Sequence, residues 1–185
     1  ELACYPFTDG ACAMILASGK RARELTDKPV WIKGMGNSVD TYYIGERDLA
    51  VSGSAKAAGV RAYKLAGITD PAKQIDVAEV SAKFAHQEPI ISEALGLFEE
   101  GSGGKVADEG LADLGGSMPV CPSGGGLGGY VFTANGLVRI AECVRQLQGG
   151  AGKAQVSGAR TALAHGQDGF CAQHNAVMVL STEEG

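Results

Sequence analysis

The sequence has no Cys-x-x-Cys pair, no cluster of Lys and Arg, and no apolar run long enough to cross a bilayer. Each absence removes a class of function. Five cysteines (Cys4, Cys12, Cys121, Cys143 and Cys171) are an odd number without metal-ligand spacing, which fits neither a disulfide scaffold nor a zinc site. Reduced thiols in a cytoplasmic protein are the simplest reading. A net charge of −5 with no basic patch argues against nucleic acid, and a membrane span is not expected. No internal repeat and no linker divides the chain. It opens on Glu1-Leu2-Ala3-Cys4-Tyr5, with no initiator Met and no signal peptide, and reads as part of something longer.

What is present is glycine: 28 among 185 residues, about twice the usual share. These glycines have no collagen period, so they indicate tight turns and close packing. With 45% hydrophobic residues the chain can bury one domain's core, spanning residues 1–185.

The apolar run from Cys12 to Ala17 predicts a buried strand, and Lys20 to Leu25 a charged helix. Val30 to Gly34 reads as a strand and Gly34-Met35-Gly36-Asn37-Ser38 as a turn. Ser52 to Ala66 predicts an amphipathic helix with Val60, Tyr63 and Leu65 on its Ala-rich face, stopped by Gly67. Ile75 to Val80 reads as a strand. Phe84 to Glu100 reads as a helix, with Pro89 tolerable only near its first turn. A polar loop follows from Gly101 to Gly116, then a short strand end at Val120-Cys121. Asn135 to Leu147 places Leu137, Ile140, Ala141, Val144 and Leu147 at helical spacing. Two strands, Ala159 to Ala164 and Ala176 to Leu180, close the chain. The pattern is α/β with a mixed sheet.

One stretch carries more than packing information. Pro122-Ser123-Gly124-Gly125-Gly126-Leu127-Gly128-Gly129-Tyr130 runs directly into the helix that begins at Asn135. Such a turn permits positive φ and close backbone approach, and it gathers free N–H groups suited to an anion or oxyanion.

These residues resemble a known family. Asp9-Gly10-Ala11-Cys12-Ala13-Met14-Ile15-Leu16-Ala17 is similar to the strand that opens the C-terminal half of thiolases. Ser123-Gly124-Gly125-Gly126 through Gly136-Leu137, then Ala141-Glu142, Gln146-Leu147 and Gly158-Ala159-Arg160-Thr161-Ala162-Leu163, resembles the rest of that half. The nearest branch is the sterol-carrier-protein-2-like and archaeal one, which includes CoA-dependent aldolases of steroid side-chain degradation. The resemblance implies a mixed sheet with helices on both faces. It also implies that the N-terminal half, with the nucleophilic Cys, is absent from this chain.

Three family positions carry over. Ser81, in Ser81-Ala82-Lys83-Phe84, stands where thiolases have the Asn of Asn-Glu-Ala-Phe, which holds a catalytic water or polarises the substrate carbonyl. Tyr130 replaces the His of Gly-His-Pro, and His165 falls at the acid/base Cys of Cys-x-Gly-Gly-Gly. All three depart from the thiolase pattern. A phenol with an ordinary pKa near 10 is a poor base for a thiol but a competent proton donor. It suits aldol cleavage better than thiolysis.

The resemblance therefore implies an acyl-CoA acyltransferase or aldol lyase that works on a C–C bond beside a CoA thioester. Backbone N–H groups at Gly128 and Gly129 would meet the oxyanion, with His174 and His86 lining the site. No metal and no cofactor are expected; coenzyme A enters as part of the substrate. The implied partners are an N-terminal thiolase half, a second copy in a homodimer or hetero-oligomer, and an acyl-CoA-binding subunit with a zinc ribbon and an OB fold. A non-catalytic half that scaffolds such a partner is the other reading. Each residue also has a plain structural role open to it. Ser81 would cap the Phe84 helix and Asn135 the helix after the turn; Tyr130 would pack beneath the turn; Cys121 and Cys171 would act as small buried hydrophobes.

Overall fold

The computed structural model describes residues 3–184; the opening Glu1-Leu2 lies outside them. In chain order the elements are α1 (Gly19–Leu25), β1 (Trp31–Val39), α2 (Gly53–Ala66), α3 (Pro71–Gln74), β2 (Val77–Glu79), α4 (Gln87–Ala94), α5 (Gly103–Asp108), α6 (Gly125–Gly128), α7 (Asn135–Gln148), β3 (Thr161–Asp168) and β4 (His174–Ser181). Four strands form one sheet in the order β1-β4-β3-β2. β2 runs parallel to β3, while β4 is antiparallel to both of its neighbours. The mixed sheet expected from the sequence is present.

Side-chain alternation along the strands divides the core in two. Leu163, Val177 and Val179 face Ala58, Ala62 and Tyr63 of α2. Ala162, Ala164 and Leu180 face Cys143 and Leu147 of α7. Helices therefore cover both faces, α2 over β1 and β4 and α7 over β3 and β2. Each fully buried aliphatic chain in these layers contributes about 1.5–3 kcal/mol relative to exposure.

Several local expectations give way to tertiary packing. Gly34-Met35-Gly36 is not a turn but the middle of β1. A Cβ on Gly34 would lie 2.2 Å from the carbonyl oxygen of Ala62, and one on Gly36 would lie 2.0 Å from that of Ala58. The two glycines let α2 rest directly on the strand. The Gly36→Ala variant should consequently lose about 3 kcal/mol, at the upper end of overpacking costs, read as a lowered urea midpoint with unchanged slope.

Cys12 to Ala17 pairs with no strand, and Ile15 is 89% exposed. On α2 the buried stripe is Ser54, Ala55, Ala58, Gly59, Ala62 and Tyr63, leaving Val60 and Leu65 at 60% and 68% exposure. Small residues win that face because the sheet is so near. Gly67 stops α2 with φ 71°, as its sequence position predicts. α4 is shorter than expected, since Gly96 at φ 68° ends the run soon after Ala94. The 101–116 loop contains the short α5. Neither capping expectation holds. Ser81 lies well ahead of α4, whose N-cap is His86, and Asn135 is the first residue of α7 behind the cap Ala134.

Candidate active site

The ends of β1, β2 and β3 and the start of β4 meet along one edge of the sheet. The carboxyl ends of parallel strands in α/β sheets are where ligands usually bind. A cleft of about 360 Å³ opens there, lined by Asn37, Lys83, Tyr130, Gly136, Asp168 and His174 among others.

Tyr130 reaches the cleft from the Gly-rich turn, although only 2% of its surface is exposed. The turn folds as Gly124 at φ 94° followed by the single-turn α6. A Cβ on Gly126 would lie 2.2 Å from the carbonyl oxygen of Ala82, so glycine allows the turn to sit against the segment that carries Ser81. Residues 3–8 cross over both loops: Tyr5 N–H donates to the Lys83 carbonyl (2.9 Å), and Thr8 N–H to that of Tyr130 (3.3 Å). The Tyr5 and Tyr130 ring centroids are 4.9 Å apart, and Lys83 Nζ lies 5.8 Å from the Tyr130 ring. Burial pushes the Tyr130 phenol up; the adjoining Ser81 hydroxyl opposes this and the Asp168 carboxylate adds to it. At neutral pH Tyr130 is a proton donor.

Ser81 and His165 lie behind the cleft wall. Ser81 Oγ accepts from Asn135 Nδ2 at 2.7 Å, and Ser81 N–H donates to His165 Nδ1 at 3.3 Å. The far side of the imidazole fixes its tautomer. Asp40 accepts from the Ser54 hydroxyl and from the Ser54 N–H. Ser54 Oγ therefore accepts from Asn175 Nδ2 (2.7 Å), which also donates to the Ala172 carbonyl (3.0 Å). That turns Asn175 Oδ1 toward His165 Nε2, 2.8 Å away, so Nε2 carries the proton and Nδ1 is the acceptor.

Burial lowers the His165 pKa from 6.5 to about 4, against the opposing pull of Asn175. An imidazole with both nitrogens engaged and no exposed surface positions Ser81. The unfolded chain protonates near 6.5 while the native state resists to about pH 4. Stability is thus full above pH 6.5 and falls as pH drops through that window, by about 3 kcal/mol. His165→Asn should flatten this slope in urea titrations at pH 7, 5.5 and 4.5.

His174 is exposed and opens β4 beside Asp168 at the cleft. His86 is also exposed, stacked on Phe84 with centroids 5.7 Å apart, outside the cleft lining. Gly128 and Gly129 lead into Tyr130 without lining the cleft themselves. The structure thus brings Ser81, Tyr130 and His165 together, sets His174 at the rim and leaves His86 apart. Cys121 and Cys143 are buried, and burial raises both thiols well above their ordinary value. All five cysteines are unpaired.

The sequence reading missed the brace beneath the turn. Glu79 on β2 is fully buried and pairs with Arg139 of α7 at 2.7 Å. Ser123 Oγ donates to the same carboxylate at 2.8 Å, and Ser123 N–H to its other oxygen at 3.2 Å. It also missed Asp40, Ser54 and Asn175, which stand on separate elements with no shared spacing. A Glu and an Arg inside otherwise apolar runs were the available signal for the brace. Among the described residues, no group of three or more His, Cys, Asp or Glu is placed to hold a metal ion, and no helix is long and apolar enough to cross a membrane.

Residues 36–182 match the family described as thiolase C-terminal domain-like. The chain belongs to that family. This thiolase-like chain is 37% identical over 178 residues to an acetyl-CoA acetyltransferase of Methanothermobacter thermautotrophicus, covering 94% of the chain and 46% of the relative. It is 37% identical over 171 residues to human sterol carrier protein 2, covering 89% of the chain and 31% of the relative. It therefore spans less than half the length of these relatives. Among solved structures, the Ltp2-ChsH2(DUF35) aldolase matches with a TM-score of 0.75 at 22% identity, over 88% of this chain and 42% of that one. A monomeric SCP2-thiolase-like protein type 1 from Mycobacterium smegmatis matches with a TM-score of 0.61 at 20% identity, over 91% of this chain and 32% of that one. At these identities the two structures speak to the thiolase-like fold.

Proposed function

We propose that the chain is the C-terminal half of an acyl-CoA enzyme that breaks or forms a C–C bond next to a thioester, and that the reaction is aldol cleavage of a β-hydroxyacyl-CoA. The observation that carries this reading is the pairing at the cleft: a protonated phenol beside Ser81, backed by an imidazole whose two nitrogens are already committed. A base removes the β-hydroxyl proton. The Cα–Cβ bond then breaks, its electron pair passing to Cα as the thioester enolate while Cβ leaves as a carbonyl compound. Tyr130 protonates the enolate carbon, and its phenolate recovers the proton taken from the hydroxyl. Coenzyme A serves as the carrier of the acyl group, and no other cofactor is invoked. His174 and Asp168 at the rim are the chain's own candidates for the base; the N-terminal half supplies the remaining walls.

Thiolysis is the second reading, favoured by the 37% identity to an acetyl-CoA acetyltransferase. It needs a thiolate from the other half, because none of the five cysteines lines the cleft, and burial keeps Cys121 and Cys143 protonated besides. An N-terminal thiolase half is the partner proposed in either case. A second, acyl-CoA-binding subunit is proposed on the strength of the aldolase relative, whose name joins two components. Product analysis separates the readings. The chain assembled with its N-terminal half should cleave β-hydroxyacyl-CoA without free CoA and leave β-ketoacyl-CoA intact. A strict requirement for free CoA would overturn the aldol reading. Failure on both substrates would leave the scaffold role.

A further inference from the structure

We infer that Asn135 is a substrate-recognition residue whose amide oxygen accepts a hydrogen bond from the substrate's β-hydroxyl in the bound ground state, a bond given up when the base takes that proton. This rests on the aldol reading for the identity of the ligand, not for the geometry. Asn135 is 2% exposed, and its Oδ1 has no hydrogen-bond partner among the described residues. A buried acceptor without a partner is costly and uncommon, and asks for an explanation. In the chain Asn135 lies between Thr133 and Gly136, both of which line the cleft along with Tyr130, and its own side chain sits one layer behind that lining, against Ser81.

The rest of the network orients the amide. Ser81 has one hydroxyl proton and stands between Asn135 and Tyr130. Ser81 Oγ accepts from Asn135 Nδ2 at 2.7 Å, so the amide nitrogen is the side turned to Ser81. Asn135 Oδ1 is left as a bare acceptor, and the protonated Tyr130 phenol is the donor on the other side of Ser81. Around Ser81 the protein thus presents one donor and one acceptor. A β-hydroxyacyl thioester carries the complementary pair, a carbonyl that accepts and a hydroxyl that donates, two carbons apart along the chain. A β-keto group would turn an oxygen lone pair on Oδ1 instead, and an acyl chain without the hydroxyl would leave Oδ1 unpaired.

The test is equilibrium binding by calorimetry. The chain is assembled with its N-terminal half and keeps Tyr130; every ligand is used as its amide analogue, with NH in place of the thioester sulfur, whose C–C bond resists cleavage because an amide stabilises the enolate poorly. β-Hydroxyacyl-CoA should bind about tenfold or more tighter than the same acyl-CoA lacking the hydroxyl. In Asn135→Ala that preference should fall to about twofold or less while the hydroxyl-free ligand binds as before. Asn135→Asp, which keeps an acceptor, should retain the preference. A preference that survives Asn135→Ala, or one that never existed, overturns the inference. Should Asn135→Ala fail to fold, a β-methoxy analogue takes its place: with no proton to give, it should bind no tighter than the hydroxyl-free ligand, and tight binding overturns the inference. The two proposals fail separately. Aldol cleavage with an Asn135-independent preference sinks only this one, and an Asn135-dependent preference without C–C cleavage sinks only the aldol reading.

Discussion

Arg139→Met should destabilise the fold by about 3–5 kcal/mol, the range for breaking a buried ion pair from one side. Arg139 and Glu79 are both almost wholly buried, and Glu79 has no water to fall back on. Burial already raises the Glu79 carboxyl, and Arg139 is the chief group opposing that rise. With Arg139 gone, the carboxyl would rise further and take up a proton. A carboxyl whose folded pKa exceeds its unfolded value stabilises at low pH and loses that contribution as pH rises. The variant should therefore lie closest to wild type in acid and fall away toward neutrality, as urea midpoints at pH 5 and 7.5 would reveal. Equal losses at both pH values would mean that Glu79 is not the source. The double variant Glu79→Leu/Arg139→Met should recover most of the loss, since no uncompensated charge remains. It should not restore the turn, because Ser123 loses the carboxylate that holds both its N–H and its hydroxyl. Faster amide exchange over residues 123–129 in the double variant would separate the two roles.

The same brace shows where sequence reading stops. α7 and the two closing strands were legible because their signals are local: apolar residues at helical spacing, then short apolar runs. Gly67 was legible as a helix stop for the same reason. Gly34 and Gly36 were misread because a turn and a close helix–strand approach use the same residue. Only the position of Ala58 and Ala62 over β1 decides between them. The apolar run at Cys12 to Ala17 signalled a strand, but a strand needs a neighbour, and the sheet ends at β1 on one side and β2 on the other. At the site, the family resemblance put Ser81, Tyr130 and His165 in view. It did not show that His165 is held neutral by a chain running through Asn175 and Ser54 to Asp40, because those residues come from β4, α2 and the loop after β1. Hydrogen-bond direction is a property of the assembled network, and it leaves His165, expected as an acid/base, with both ring nitrogens engaged, one of them on the Ser81 N–H.

If His165 is support, the rate must depend on the phenol, and Tyr130→Phe is the variant that isolates it. It removes one oxygen and keeps the ring that packs on Tyr5 and beneath Lys83. The stability change should stay within about 1 kcal/mol, the net worth of a typical hydrogen bond. Cleavage of β-hydroxyacyl-CoA should nonetheless slow by about 10²–10⁴, the usual contribution of a positioned general acid. The loss should fall on kcat more than on KM, since the proton moves in the reaction and not on binding. The pH profile adds an independent check. Burial raises the phenol above its ordinary value, so the alkaline decline of the wild-type rate should begin well above neutrality. Tyr130→Phe should abolish that alkaline limb. His165→Asn should keep the limb while lowering the rate, because it loosens Ser81 without removing the acid. Should the rate survive in Tyr130→Phe, or the alkaline limb persist there, the proton comes from another group, and the cleft would have to be assigned anew from His174 and Asp168 at its rim.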